Sequence, residues 1–203
     1  MNQPSGSSLS RTLINALDRA AARRSLIEQR EVFNAAQRAA ADASIIAGVD
    51  RWLAGHRAAG RDRVLGVYWP MRGEPSLVTT YAGWLAAGFS IALPRVQART
   101  APLQFGRWTP GCRLIDAGFN VMVPEPFELI EPDLLIVPCV GFDPRGYRLG
   151  YGGGFYDRTL AHRPVPALGV CCDDAEIADY QPQAHDRPLD AIVTERRVLT
   201  FRR

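Results

Sequence analysis

The stretch from Arg148 to Arg158 holds the residue types and spacing most able to do chemistry: Arg148-Leu149-Gly150-Tyr151-Gly152-Gly153-Gly154-Phe155-Tyr156-Asp157-Arg158. Upstream lies an apolar segment, Leu134 to Val140, rich in branched residues and broken by Gly141, which reads as a buried strand of a parallel sheet. The residues from Phe155 onward read as a helix. Strand, glycine loop and helix together expose backbone N–H groups that have no partners inside the helix, an arrangement that suits a phosphate. Glycines let that backbone approach an anion closely and take positive φ. The spacing predicts a phosphate-holding loop, with Asp157 in the first helical turn placed to hold a metal beside it. The alternative is a glycine-rich turn with no ligand.

Two common glycine motifs are excluded. A P-loop needs Gly-Lys-Ser/Thr, and all 24 basic residues of this chain are arginine. A dinucleotide fingerprint needs a small third residue for close helix–sheet packing, and counting from Gly150 and Gly152 puts Phe155 there.

Those residues must be positioned by a fold, and 203 residues suffice for one domain with a full core. We read 1–10 as a disordered tail and 11–203 as a single α/β domain. A net charge of +3 with dispersed arginines argues against a nucleic-acid surface. The four cysteines, Cys112, Cys139, Cys171 and Cys172, form no C-x-x-C pair and read as small apolar fillers of a reduced protein. The N-terminus has no signal-peptide pattern, and no apolar run approaches the ~20 residues of a membrane span. The expected location is cytoplasmic, with a small-molecule substrate and neither nucleic acid nor membrane as partner.

Residues 13–54, rich in Ala, Arg, Gln and Leu, predict two or three helices that stop at Gly55. Val64 to Trp69 predicts a strand closed by Pro70, and Ser76 to Ala87 a helix with Leu77, Tyr81, Trp84 and Leu85 on one face and Gly88 as its stop. Further strands are expected at Phe89–Leu93, ended by Pro94, and at Leu103–Trp108, Ala167–Val170 and Ala191–Thr194. The alternation predicts an α/β fold of three layers, a largely parallel sheet with helices on both faces. Ligands of such sheets bind outside the carboxyl ends of the strands. Trp69 to Glu74, Pro94-Arg95, the glycine loop and the residues after Val170 should converge there, with His185-Asp186 approaching.

These residues resemble the 5-formyltetrahydrofolate cyclo-ligase (5,10-methenyltetrahydrofolate synthetase) family. The resemblance rests on Pro138-Cys139-Val140-Gly141-Phe142-Asp143 followed by Gly146-Tyr147 and the run from Arg148 to Arg158. Shorter matches lie at Tyr68-Trp69-Pro70 with Gly73-Glu74, at Leu93-Pro94-Arg95, at Pro124-Glu125-Pro126, and at His185-Asp186 with Asp190 to Glu195. The resemblance implies an architecture similar to the sugar-phosphate isomerase and CoA-transferase group. It implies ATP- and magnesium-dependent conversion of 5-formyltetrahydrofolate, with or without a polyglutamate tail, to 5,10-methenyltetrahydrofolate, releasing ADP and phosphate.

By the same resemblance Arg148 and Tyr156 are catalytic. ATP contacts fall to Arg23, Arg24, Arg148, Leu149, Gly150, Tyr151, Gly152, Gly153, Gly154, Phe155 and Tyr156. Folate contacts fall to Trp69, Glu74 and the run Tyr151 to Phe155, and Mg2+ to Asp157 and Asp186. Taken singly, Trp69 reads as a core residue, Glu74 as a solvated turn carboxylate and Asp186 as a turn former. The N-terminal ATP-contact pattern has an ambiguous register: Arg19 and Arg30 compete with the favoured Arg23 and Arg24. The basic residue usual before Pro-Glu-Pro is missing, unless an arginine such as Arg113 supplies it. That departure leaves a catalytically silent nucleotide- or folate-binding protein as the alternative. An isomerase or CoA-transferase on the same architecture would need a carboxylate or lysine placed for proton or acyl transfer, and a lysine version is excluded.

Overall fold

The computed structural model describes residues 19–56 and 63–201, so the predicted tail at 1–10 lies outside the described residues. In chain order the elements are α1 (Arg19–Glu31), α2 (Ala35–Ala54), β1 (Arg63–Gly66), α3 (Tyr81–Ala86), β2 (Phe89–Arg95), β3 (Gln104–Trp108), β4 (Arg113–Asp116), β5 (Met122–Glu125), β6 (Leu134–Pro138), β7 (Gly141–Phe142), β8 (Arg148–Leu149), α4 (Phe155–His162), β9 (Ala167–Val170), β10 (Ala191–Val193) and β11 (Val198–Thr200). Seven strands form one sheet in the order β11-β10-β9-β6-β1-β2-β3. The five from β10 to β2 run parallel, and β3 and β11 are antiparallel edges.

Strand β6 is the centre because it is apolar on both faces. Leu134 and Ile136 pack with Ile45, Val49, Leu77 and Trp84 of the α2–α3 side, while Leu135 and Val137 pack with Leu160 of α4 on the other. Each such burial contributes roughly 1.5–3 kcal/mol. These two helical layers with the sheet between them are the predicted three-layer α/β arrangement. Helix α1 lies instead over the β7–β8 hairpin, where Ala22 and Ile27 cluster with Val140, Leu149, Ile177 and Tyr180. Among the described residues no helix is long and apolar enough to cross a membrane.

Two helices fill the described part of the N-terminal helical region. Their break is set by Asn34, whose side chain accepts from the Gln37 N–H while the Gln37 side chain accepts from the Asn34 N–H, a reciprocal cap.

Several predicted boundaries are corrected. Strand β1 ends at Gly66 rather than Trp69; Val67 still donates to the Ala92 carbonyl, and the residues after it leave the sheet as one wall of a cleft. The helix expected from Ser76 begins as a 3-10 turn at Val78–Thr80, and its regular part starts at Tyr81. Strand β2 runs through Pro94 to Arg95. The Ala92 carbonyl accepts from Val67, so Pro94, two residues on, also faces the side of β1, which has already ended there. No donor is needed at that position. The central strand ends at Pro138, and the glycine loop does not follow it directly. The β7–β8 hairpin intervenes, its turn fastened by the fully buried Asp143, whose Oδ1 accepts from the N–H groups of Arg145 (2.9 Å) and Tyr147 (2.8 Å). The β4–β5 hairpin and β11 are additional to the predicted strands.

Candidate active site

The order of strands fixes where a cleft opens. The chain moves from β1 outward to β2 and β3, then returns to place β6 on the other side of β1. Loops leaving β1 and β6 therefore part in opposite directions, which opens a crevice at their carboxyl ends. A cavity of about 210 Å³ occupies this place.

One wall is the segment after β1. It turns back through Arg72 (φ 48°) and Gly73 (φ 72°). A Cβ on Gly73 would come within 3.1 Å of the Arg30 carbonyl, so the turn seats directly on the end of α1. The turn carries Glu74 inward. Its carboxylate is buried, accepts from the Met71 N–H at 3.0 Å and from the Tyr151 hydroxyl at 2.9 Å, and lies 3.8 Å from the Arg30 guanidinium. Burial pushes its pKa up, against the opposing pull of the Met71 N–H, Arg30 and Tyr151. Glu74 is thus no solvated turn carboxylate. Trp69 lines the same wall while packing one side on the core, so the core and ligand readings of this residue both hold in part.

The facing wall is the glycine loop. Gly152 (φ 94°) and Gly154 (φ 64°) take the left-handed backbone that favours glycine, and Gly154 sits just ahead of α4. Arg23 crosses from α1 to donate its Nε–H to the Gly150 carbonyl at 2.7 Å, and Arg158 fastens the Gly153 carbonyl at 2.8 Å. Held this way, the loop presents its backbone and the start of α4 to the cavity. Phe155 carries the edge of the exposed Phe119 ring, at 6.0 Å between centroids, which brings the β4–β5 hairpin over the cavity with Asn120, Val121 and Met122 in its lining.

The floor carries the charges. Arg148, almost fully buried, donates to the Asp157 carboxylate at 2.7 Å and to the Arg187 carbonyl at 2.8 Å. Asp186 pairs with Arg19 at 3.1 Å and accepts from the Gln183 N–H at 2.8 Å. The Tyr180 hydroxyl lies 3.3 Å from Asp186, and burial lifts its pKa to about 12. Burial and the neighbouring Arg19 depress the Arg23 pKa, so an anion placed there relieves both costs. Tyr156 lines the cavity with a phenol whose pKa is raised by burial and by Glu74, and it keeps its proton.

Most residues picked out from the sequence meet here: Trp69, Glu74, Arg148, Gly150 to Asp157, Asp186 and Arg23 all line one cavity. Two do not. Arg24 points to solvent, because one residue along a helix is a rotation of about 100° away from the face that Arg23 presents. Leu149 is buried in the cluster beneath α1. The partner of Arg23 on the cavity side is Arg19, four residues earlier on the same face, and that spacing was visible in the sequence. Arg113 pairs with Glu125 on the outside of the hairpin and supplies no charge to the cavity lining. Tyr180 had no sequence signal, standing alone in a polar loop.

The two carboxylates on the cavity floor, Asp157 and Asp186, fit Mg2+, which takes one or two protein carboxylates and completes its shell from phosphates and water. No cluster of three or more metal-capable side chains occurs among the described residues.

The sequence model of the 5-formyltetrahydrofolate cyclo-ligase family matches residues 15–195. The chain belongs to this family. It is 34% identical over 146 residues to the 5-formyltetrahydrofolate cyclo-ligase of Mycolicibacterium smegmatis, covering 66% of this chain and 75% of that one. Against the Escherichia coli K12 cyclo-ligase it is 44% identical over 121 residues, 55% of this chain and 66% of the other. Its fold matches the 5,10-methenyltetrahydrofolate synthetase of Aquifex aeolicus with a TM-score of 0.76 and 26% identity, over 92% of this chain and 94% of that one. The synthetase of Mycoplasma pneumoniae shares the fold at a TM-score of 0.70 and 22% identity, over 88% and 99% of the two chains.

Proposed function

We propose that this cyclo-ligase family member converts 5-formyltetrahydrofolate to 5,10-methenyltetrahydrofolate at the expense of ATP, in the cavity above β1 and β6. The observation that carries the reading is the division of that cavity. Its glycine loop, Arg19, Arg23 and Arg148 form a half suited to phosphates, and the opposite wall sets a buried carboxylate, Glu74, beside the Trp69 ring.

The formamide oxygen is a poor leaving group, so it first attacks the terminal phosphorus of ATP and ADP departs. The neighbouring amine nitrogen then attacks the activated carbon, a C–N bond closes the ring, and the C–O bond breaks as the amine proton leaves with the departing phosphate. Little covalent chemistry is required of the protein, whose task is to align and neutralise the transferring group. The free N–H groups from Gly150 to Gly154 and the guanidinium of Arg148 hold the phosphates. Tyr156, protonated by its surroundings, donates a hydrogen bond rather than acting as a base. Glu74 receives N–H donors of the pterin, and Trp69 offers a flat face. Asp157 and Asp186 are the carboxylates that would hold Mg2+, which neutralises phosphate charge when bound.

The test is absorbance of methenyltetrahydrofolate on mixing the protein with 5-formyltetrahydrofolate, ATP and Mg2+, leaving out each in turn. Product is expected with all three together. Equal product without ATP would refute phosphorylation of the formyl oxygen. Tight binding of both ligands with no product would install the silent binder in its place.

A further inference from the structure

Arg30 is buried, with 4% of its surface exposed, and does not line the cavity. A guanidinium so placed must have its donors met. Its Nε donates to the Arg72 carbonyl at 2.8 Å, and Nη1 to the Cys139 carbonyl at 3.2 Å. Its Nη2 donates to the Tyr151 hydroxyl, which in turn donates to Glu74 Oε1 at 2.9 Å. One side chain on α1 therefore touches the turn after β1, the end of β6 and the tyrosine of the glycine loop.

We propose that Arg30 is the positioning residue of the folate half of the site: from behind the wall it fixes Glu74 and the Tyr151 hydroxyl as a single hydrogen-bonded acceptor for the N–H groups of the heterocycle. The inference rests on the reading that Glu74 meets the pterin. A carboxylate receives two N–H donors well only while ionised and held in plane, and burial alone works against the first condition. The groups facing Glu74 are Arg30 from α1, Tyr151 from the loop, Tyr156 from α4, Tyr81 from α3, Tyr68 beside it and Cys139 after β6. Burial keeps those phenols and the thiol protonated through the acid range, so Arg30 is the cation among them. Arg30 and the Tyr151 hydroxyl both act to lower the Glu74 pKa, and losing either moves it up.

The competing role is purely structural, with Arg30 only tying α1 to the sheet. Steady-state kinetics of Arg30→Met and Arg30→Lys separate the two. Positioning predicts at least a tenfold rise in KM for 5-formyltetrahydrofolate in Arg30→Met, with KM for ATP within twofold of wild type. The acid limb of kcat/KM for folate should shift to higher pH, with partial rescue by lysine, which keeps the charge but loses the fork of donors. In a Glu74→Gln background, Arg30→Met should add nothing further to the folate KM. A folded Arg30→Met protein with unchanged folate KM and acid limb would overturn the proposal, as would equal rises in both KM values. Should Arg30→Met fail to fold, Tyr151→Phe breaks the same relay and should give the folate-selective rise and pH shift; an unchanged acid limb there also overturns it. A wild-type protein that forms no product would sink the ligase reading, whereas an active wild type indifferent to Arg30 sinks this inference alone.

Discussion

Asp157 joins two roles in one carboxylate: it stands in the first turn of α4 and accepts from both Arg148 and the Arg187 N–H, at 2.7 and 3.0 Å. As a metal holder it needs its charge, and Asp157→Asn should lower turnover by about 10²-fold or more, since ~3 kcal/mol of transition-state stabilisation is at stake. As a structural residue only, its replacement by asparagine would weaken the pairing with buried Arg148 and cost stability, but leave turnover nearly unchanged. Measuring kcat across a Mg2+ titration decides between them; near-normal turnover with unchanged Mg2+ dependence would leave only the structural role. The pairing with Arg148 makes the measurement sharper. Both partners must exchange each other for ligands, so the variant frees Arg148 and should not weaken ATP binding as strongly as it weakens turnover.

Elements decide how much of this was legible in advance. The glycine loop was, because Gly152 and Gly154 occupy left-handed backbone that glycine alone takes cheaply. Gly152→Val should abolish ATP binding, measured by titration calorimetry, while circular dichroism stays native. A Cβ there would sit 3.3 Å from Arg23 Cζ in a backbone at φ 94°, so a branched side chain distorts the loop locally, away from any core cluster. Undiminished affinity in the folded variant would remove the loop from the nucleotide site. Strands β1, β2, β6, β9 and β10 were legible as short apolar runs, and the first three carry proline or glycine at or soon after their ends. The β7–β8 hairpin was not. Its strands are two residues each, and its fixing group, Asp143, resembles any turn aspartate until it is seen fully buried. Nor could Arg24 be separated from Arg23 before the phase of α1 was known. Glu74 was read from the sequence as either a solvated carboxylate or a ligand, and only the seating of its turn on α1 settles its burial.

On the scale of the whole molecule, charges are tied at both ends of the parallel sheet's carboxyl edge. Away from the cavity, Asp173 accepts from Arg197 at 2.6 Å and from the Thr194 hydroxyl at 2.8 Å, clasping the turn after β9 to the β10–β11 connection. Burial acts to raise the Asp173 pKa, but these bonds outweigh it and hold the pKa below its ordinary 3.8. A depressed carboxylate pKa stabilises the fold above the unfolded value and ceases to as pH falls through the folded one. Arg197→Ala should cost about 0.5–1 kcal/mol near neutrality, a figure discounted for solvent screening of a partly exposed pair. The deficit should shrink below pH 3.8. Urea midpoints at pH 7 and pH 3 read this directly, and a deficit that grew on acidification would contradict it. At the cavity end the clasp is different in kind. Helix α1 is held by Arg19 on Asp186, Arg23 on the Gly150 carbonyl and Arg30 on the Arg72 carbonyl, so its attachments are the cavity's own walls. Peeling α1 away dismantles the proposed nucleotide site, and a ligand that needs the site resists the peeling. At a hundredfold excess over Kd that resistance is ~2.7 kcal/mol, or about a hundredfold in the population of the opened form. Since the chain has no lysine, trypsin cuts it after arginine alone, and Arg24 faces outward on this helix. Proteolysis after Arg24 should accordingly slow by about that factor with saturating ATP. Cleavage at the same rate with and without nucleotide would mean that α1 opens while the cavity stays whole. With the slowing, an arginine that never touches the ligand becomes a gauge of occupancy, readable on a gel without any turnover.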